Sequence, residues 1–159
     1  MSPEKQLAGF LARFTPEVAA LGKAALAKLR ARFPSAIQMV YDNYNFLVIG
    51  FSPNERPSAA IFSIALFARG VSLCFVQTAS KLPDPEKLLV GNGKVARHIR
   101  LASAATLDLP AVKALIDEAT RRAPVSFDPA APGRLIIRSI SAKQRPRRPK
   151  VQRSKSRPK

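Results

Sequence analysis

Residues that commonly build catalytic and metal sites are scarce in this chain. It contains one cysteine, one histidine and no tryptophan. A lone Cys74 excludes an intramolecular disulfide, and its alternation with Ser72 and Val76 favours an inert packed thiol over a nucleophile. His98 has no visible set of partner ligands, because the acidic residues are scattered along the chain. We therefore expect a protein that is not an enzyme and that has no metal site and no cofactor.

Long hydrophobic runs and targeting signals are also missing. The apolar runs end well short of the ~20 residues that a helix needs to cross a bilayer. The first residues show no charged region followed by an apolar stretch and a small-residue cleavage site, so we expect no secretory signal. Together these absences predict a cytoplasmic protein with no membrane partner.

Acidic residues are few, and the balance of charge is strongly basic. The chain has 159 residues, with 27 Lys and Arg against 10 Asp and Glu, and a formal net charge of +17. Residues 1–140 hold 18 basic and 10 acidic residues, a net charge of +8. Residues 141–159 contain no acid and no aromatic side chain. The cations of this tail are the candidate nucleic-acid contacts: Lys143, Arg145, Arg147, Arg148, Lys150, Arg153, Lys155, Arg157 and Lys159.

The spacing of apolar residues predicts an α+β fold. The stretches 2–4 and 15–17 each combine a capping hydroxyl, a first-turn proline and an acid, as helix starts do. A third helix is expected after Asp108 as its cap. Strands are predicted at 36–41, 46–51, 59–67, 71–77, 94–101 and 134–141. The first four strands are joined by short links and must pair antiparallel, so we expect an antiparallel meander packed against N- and C-terminal helices.

The domain boundary is expected near the end of the last strand. Residues 1–141 are predicted to form one α+β domain. Residues 142–159 are predicted to be a disordered basic tail, because they have no periodic apolar residues to offset the entropy of ordering. The helices would cover one face of the sheet. Since strands 46–51 and 59–67 are apolar on both sides, a homodimer through the open face is a further expectation.

The stretch "GNGKVARHIRL" (91–101) is the one loop with a hint of ligand chemistry. It lacks the glycine spacing of a Walker phosphate-binding loop and the Ser or Thr that follows the lysine there. It also lacks the third glycine and the following helix of a dinucleotide-binding motif. One interpretation is a glycine turn that leads into an amphipathic strand. The other is an anion pocket, in which the turn's N–H groups face basic side chains. The candidate residues for that pocket are Lys94, Arg97, His98 and Arg100.

Several segments together resemble a known family. An N-terminal helix precedes "YDNYNFLVIGFSPNERPSAAIFS", a central "SLCFV", the pattern G-x-G-K-x-x-R-H-I-R-L and "DLPAVKALIDEA". Over residues 3–122 the chain resembles the YdhG-like family of bacterial domains of unknown function. The resemblance implies a two-layer sandwich similar to frataxin, with no assigned activity for most members.

The resemblance also implies a frataxin-like iron chaperone as an alternative role. Iron sites of that kind rely on acidic ridges, whereas residues 2–33 contain only Glu4 and Glu17 as acids against six basic residues. Iron prefers carboxylate or imidazole ligands, so no iron-site residue is carried over to this chain.

Three function classes therefore remain open at this point. The first is a small binding module that contacts nucleic acid or another polyanion through its tail. The second is the iron chaperone, and the third is anion or small-molecule binding at residues 91–100. A tail that only solubilises the protein is the plain alternative to the first class. We expect the first class, because it alone explains why positive charge is concentrated in the tail.

Overall fold

The structure, a computed structural model, is α+β, and it describes residues 1–77, 79–94 and 96–150. In this part of the chain three α-helices accompany a six-stranded mixed sheet. The helices are α1 (Pro3–Leu11), α2 (Pro16–Arg32) and α3 (Pro110–Arg122). The strands are β1 (Ile37–Asp42), β2 (Leu47–Ser52), β3 (Phe62–Phe67), β4 (Gly70–Phe75), β5 (Arg97–Arg100) and β6 (Arg134–Ile140).

The first two helices begin as their sequences predict. The Ser2 hydroxyl accepts a hydrogen bond from the backbone N–H of Lys5, and Thr15 accepts one from Val18. Each helix then opens with a proline, whose missing N–H would have had no partner within the helix. These side-chain caps fix where α1 and α2 start.

The predicted cap of the third helix is wrong. Asp108 ends a short 3-10 turn, Ala104–Asp108, and α3 begins two residues later with Leu109 as an N-cap that makes no side-chain bond. The carboxylate of Asp108 accepts instead from Lys28 Nζ at 2.6 Å. Pro110 explains the start of α3, because its fixed φ suits the first turn of a helix.

The sheet order is β5-β4-β3-β2-β1-β6. Strands β1 to β5 form the predicted antiparallel meander, with each strand paired to the next. A purely antiparallel sheet is wrong, however, because β6 pairs parallel with β1, and Ile37 lies opposite Arg134. The chain leaves β5 at one edge, passes through α3 and enters the far edge at β6. This long crossover permits the parallel pairing that short links forbid.

All three helices bury apolar side chains in one core on one face of the sheet. A row of mutually paired residues crosses five strands on that face: Val40, Ile49, Ile64, Leu73 and Ile99. These side chains pack in the same cluster as the buried leucines of the helices. Each buried aliphatic side chain contributes about 1.5–3 kcal/mol relative to an exposed one.

The opposite face of the sheet has small residues at its centre. Gly50, Ser63, Ala65 and Ser72 occupy this face, because their neighbours in each strand point into the core. Larger side chains, Phe67 among them, flank this shallow centre. A homodimer through this face stays a prediction.

The predicted disorder of residues 142–159 is wrong for residues 142–150. These residues pack against the end of the sheet, and the guanidinium of Arg147 is buried there. A buried ion pair and backbone hydrogen bonds hold the segment in place. Neither leaves a periodic pattern of apolar residues, so the sequence does not predict this packing. The remainder of the predicted tail, 151–159, lies outside the described residues.

Candidate nucleic-acid interface

The basic segment 141–150 follows β6 and lies over the turn between β1 and β2. The backbone N–H of Ser141 donates to the Asp42 carbonyl at 2.9 Å. The backbone N–H of Arg145 donates to the Tyr44 carbonyl at 2.8 Å. Gln144 Nε2 adds a bond to the Asp42 carbonyl at 2.9 Å. The segment is therefore held in a defined position beside residues 42–46.

Arg147 anchors this segment in the interior. Its Nη2 donates to Asp42 Oδ1 at 2.9 Å and to the Asn43 carbonyl at 2.6 Å. The guanidinium carbon lies 5.7 Å from the centre of the Phe14 ring. Both charged side chains are 2% exposed. Arg13 Nη1 is a second cation near this carboxylate, 3.6 Å from Asp42 Oδ2.

Arg148, the next cation along the segment, also makes contacts within the fold. Arg148 donates from Nε to the Arg13 carbonyl at 3.2 Å and from Nη2 to the Ala12 carbonyl at 3.4 Å. These carbonyls lie just past the last turn of α1, where a cation complements the helix dipole. Arg148 is exposed nonetheless, so its charge still faces solvent.

A groove of about 310 Å³ opens beside this anchored segment. Phe46 and Phe67 provide its aromatic surface, with ring centres 6.1 Å apart and planes at 88°. The groove residues that the structure describes include four cations and no acid. They come from two strand turns and from the basic segment: Asn45, Phe46, Phe67, Ala68, Arg69, Arg145, Pro146, Arg148 and Lys150. We call this set the aromatic–basic groove.

Arg100 extends the positive charge along the same side of the sheet. Its guanidinium carbon lies 4.8 Å from the centre of the Phe67 ring, and its Nη2 donates to the Arg69 carbonyl at 2.5 Å. Gly70 makes this possible, because a Cβ there would collide with the Arg100 guanidinium. Glu17 is the acid in the adjoining depression that Arg69 and Arg100 also line.

The four candidates of the predicted anion pocket do not converge. Arg97 faces the helix side of the sheet with Ile99, and its Nε donates to the Gly93 carbonyl at 2.8 Å. His98 and Arg100 face the opposite side, with Cys74 and Ser72 as their cross-strand partners. Lys94 is exposed in the preceding turn.

The loop at 91–93 is a turn that only glycine accommodates well. Gly91 has a φ of +111°, in the left-handed region. A Cβ on Gly93 would lie 2.5 Å from the Ala96 carbonyl oxygen. The backbone of His98 exchanges two hydrogen bonds with Val90, at 2.8 and 3.1 Å. This geometry matches a glycine turn that leads into an edge strand.

Cys74 is the one thiol of the chain, and it lies half-buried in β4. Burial raises the pKa of the Cys74 thiol, and a side-chain hydrogen bond with Ser63 opposes that shift more weakly. Across 1–77, 79–94 and 96–150, no group of three or more His, Cys, Asp or Glu side chains is placed to hold a metal ion. Within the same ranges, no helix has both the length and the apolar character needed to span a membrane.

The nine residues predicted to contact nucleic acid differ in whether their side chains are exposed, buried or outside the described residues. Lys143, Arg145 and Lys150 are exposed, and Arg148 is exposed while it bonds to helix carbonyls. Arg147 is buried and faces Asp42, which removes it from the surface. Four further candidates lie outside the described residues: Arg153, Lys155, Arg157 and Lys159.

The sequence does not predict the aromatic side of the groove. Phe46 is the first residue of the predicted strand 46–51, and neither its ring nor that of Tyr44 has a predicted role. The available signal was the position of two aromatic residues within a turn sequence, "DNYNF", where burial is rare. Phe67 and Arg69 carry no comparable signal, because their proximity to the tail depends on the parallel pairing of β6.

Comparisons of the chain with protein-family models, with curated proteins and with solved structures found no match.

Proposed function

We propose that this protein is a non-enzymatic binding module that holds nucleic acid, or another polyanion, through its basic C-terminal segment. One observation carries the proposal: among the described residues, four cations and no acid line the aromatic–basic groove, and the basic segment supplies three of the four. Such a surface attracts phosphates at short range, and the chain's net charge of +17 attracts them at long range.

The binding would be sequence-independent and sensitive to salt. Lys and Arg side chains contact phosphates by displacing condensed counterions, and such contacts carry no base information. Arg147 does not contribute, because its charge is buried against Asp42. If about five to seven phosphates are neutralised, log K falls with log salt at a slope of roughly −4 to −6 on duplex DNA.

A charge-matched comparison tests the proposal. The test variant carries Lys143→Gln, Arg145→Gln and Lys150→Gln, which remove exposed cations and leave the Arg147 anchor in place. Fluorescence anisotropy of a labelled duplex at several salt concentrations should show a slope shallower by about 2–3, since each lost phosphate contact removes about 0.9.

The matched control removes three exposed cations from the helices. Lys5→Gln, Lys23→Gln and Lys113→Gln give the same net charge as the test variant, on α1, α2 and α3. This control should keep the slope of the natural chain. Equal losses in both variants would mean that net charge alone drives binding, and the proposed interface would be wrong. No measurable binding by the natural chain at low salt would refute the function itself.

The YdhG-like resemblance and its frataxin-like fold remain proposals beside this one. The alternative iron-chaperone role rests on the resemblance alone. The alternative of anion binding at residues 91–100 would have to use side chains that the sheet divides between its two faces, as Arg97 and His98 are.

A further inference from the structure

We propose that the aromatic–basic groove takes an unpaired nucleobase, so that the protein binds single-stranded nucleic acid in preference to a duplex. This inference rests on the proposed function, and it adds the class of nucleic acid and the residues that distinguish it. Phe46 would provide the stacking surface within the groove, and Tyr44, which lies outside the groove lining beside Arg145, would provide a second one. The groove cations would bind the neighbouring phosphates.

The first argument is the exposure of two aromatic rings that are two residues apart in the chain. Tyr44 is 50% exposed and Phe46 is 42% exposed. They belong to the turn that joins β1 to β2, which the Asn43 N–H closes by donating to the Phe46 carbonyl at 2.9 Å. About half of each side chain is therefore left open to solvent, where a ligand can reach it.

The second argument is that the rings are held in place before any ligand arrives. The edge-on contact with Phe67 positions Phe46, and the guanidinium carbon of Arg145 lies 5.8 Å from the centre of the Tyr44 ring. The position of Arg145 is fixed in turn by its backbone bond to Tyr44. A stacking platform that is already ordered loses less entropy when a base binds.

The third argument is the combination of a stacking surface with cations from two separate segments of the chain. Arg69 reaches the groove from the β3–β4 turn, and Lys150 reaches it from the basic segment. Proteins that bind single strands without sequence preference pair a positive groove with aromatic side chains in this way. In a duplex the faces of the bases are stacked on one another, so the rings would gain nothing from it.

The groove is small. About 310 Å³ lies at the lower end of the roughly 300–1,000 Å³ range of small-molecule sites. An acidic peptide or a lipid surface would satisfy the cations, but neither requires two exposed aromatic rings at the edge of the charge. The base of a single strand uses both features.

The test compares three probes of equal length with the full chain. They are a thymidine oligonucleotide of about 15 nucleotides, the same backbone with abasic sites, and a duplex of that length, since single-strand sites span roughly 4–16 nucleotides. We expect the thymidine strand to bind about tenfold more tightly than the abasic strand, because stacking of one base on an aromatic ring is worth at least about that factor. The comparison holds the phosphate number constant between the first two probes.

Variants of Phe46 then locate the effect. Phe46→Leu keeps an apolar side chain but removes the ring, and it should lose most of the preference for thymidine over the abasic strand. Phe46→Tyr keeps the ring and should retain that preference. Neither change should alter binding of the abasic strand. Thermal unfolding of both variants checks that the fold is intact.

The outcomes separate the inference from the function on which it rests. If no probe binds, the proposed function fails. If all three bind with no preference for bases and none for the single strand over the duplex, only the present inference fails. A preference that survives Phe46→Leu would place the stacking elsewhere and overturn the assignment of the groove.

Vesicles containing phosphatidylserine are a fourth probe. If the protein binds these vesicles through Phe46 and shows no preference for bases, the groove binds a lipid surface instead.

Discussion

Arg147 and Asp42 form an ion pair in the interior, with Nη2 2.9 Å from Oδ1 and both side chains 2% exposed. The two residues are 105 positions apart in the chain. The pair therefore connects the end of the basic segment to the end of β1. Because removing one member leaves the other charge buried, the pair fixes the segment more firmly than an exposed ion pair would.

The first prediction concerns the stability that depends on this pair. Arg147→Ala should lower the free energy of unfolding by about 3 kcal/mol or more, because Asp42 would stay buried without its principal cation. Urea unfolding followed by circular dichroism measures the change. Arg145→Ala is the control, since that side chain is exposed, and it should change stability by less than about 0.5 kcal/mol.

A double-mutant cycle distinguishes the pair from simple loss of packing. Asp42→Ala combined with Arg147→Ala should cost less than the sum of the two single changes, since no unpaired charge remains. Strict additivity of the two changes would show that the residues act independently and would refute the role given to the pair.

The sequence predicted most of the sheet because its signals are local. The caps at Ser2 and Thr15 and the short links between strands depend on residues near one another in the chain. Short links permit only antiparallel pairing. The position of β6 is different, since it depends on how a long crossover returns across the core, and no local pattern encodes that path.

Only the positive charge of the candidate site can be predicted from the sequence. The cations of the tail are visible as composition, but the partner of Arg147 is a single aspartate in a distant strand. Asp42 looks like an ordinary turn residue beside Asn43 in the sequence. Likewise, Phe67 meets Phe46 because the register of β2 and β3 aligns them, and register is a property of the assembled sheet.

A pair of glycines supplies the second prediction. A Cβ on Gly133 would collide with the carbonyl oxygen of Pro34, a backbone atom that cannot move without shifting the start of β1. Gly133→Ala should therefore destabilise the fold by about 1–3 kcal/mol. Gly9 in α1 has no atom near its would-be Cβ, so Gly9→Ala should stabilise by about 0.5–1 kcal/mol through helix propensity.

In urea unfolding, Gly133→Ala should lower the free energy of unfolding and Gly9→Ala should raise it. If Gly133→Ala were neutral or stabilising, the close approach of the β6 entry to residue 34 would be wrong. That approach is part of the parallel pairing of β6 with β1, so the measurement also tests the sheet topology.

The third prediction concerns the thiol of Cys74. Burial raises its pKa, so the thiolate that reacts with alkylating agents appears only at higher pH than for an ordinary cysteine. The rate of alkylation by iodoacetamide, followed against pH, should show a midpoint above that of the urea-unfolded chain. Ser63→Ala should move the midpoint further upward, because the hydrogen bond that lowers the pKa is lost. A folded midpoint at or below the unfolded one would contradict this assignment.

The fourth prediction is that the helices hold no tight iron site. Glu4 is one of two acids in residues 2–33, and its carboxylate is 3.2 Å from Arg30 Nη2. Iron would have to compete with that cation for the oxygens it prefers. Calorimetric titration of ferrous iron into the protein should show no saturable heat at micromolar concentrations. Stoichiometric binding would favour the frataxin-like role instead.

The last prediction separates the structural part of the basic segment from the rest of it. The contacts that the structure describes for Arg147, Arg148 and Gln144 join them to residues just past α1, to β1 and to the β1–β2 turn. A chain that ends at residue 150 should therefore unfold at the same urea concentration as the full chain. A chain that ends at residue 141 should unfold at a lower urea concentration, because Asp42 loses its buried partner.

The chain that ends at residue 150 should still bind duplex DNA, with a salt slope shallower by roughly 3–4 for the four cations removed. If the chain that ends at residue 141 were as stable as the full chain, residues 142–150 would contribute nothing to the fold. Their cations could then act only at the surface, as a tail without structure would.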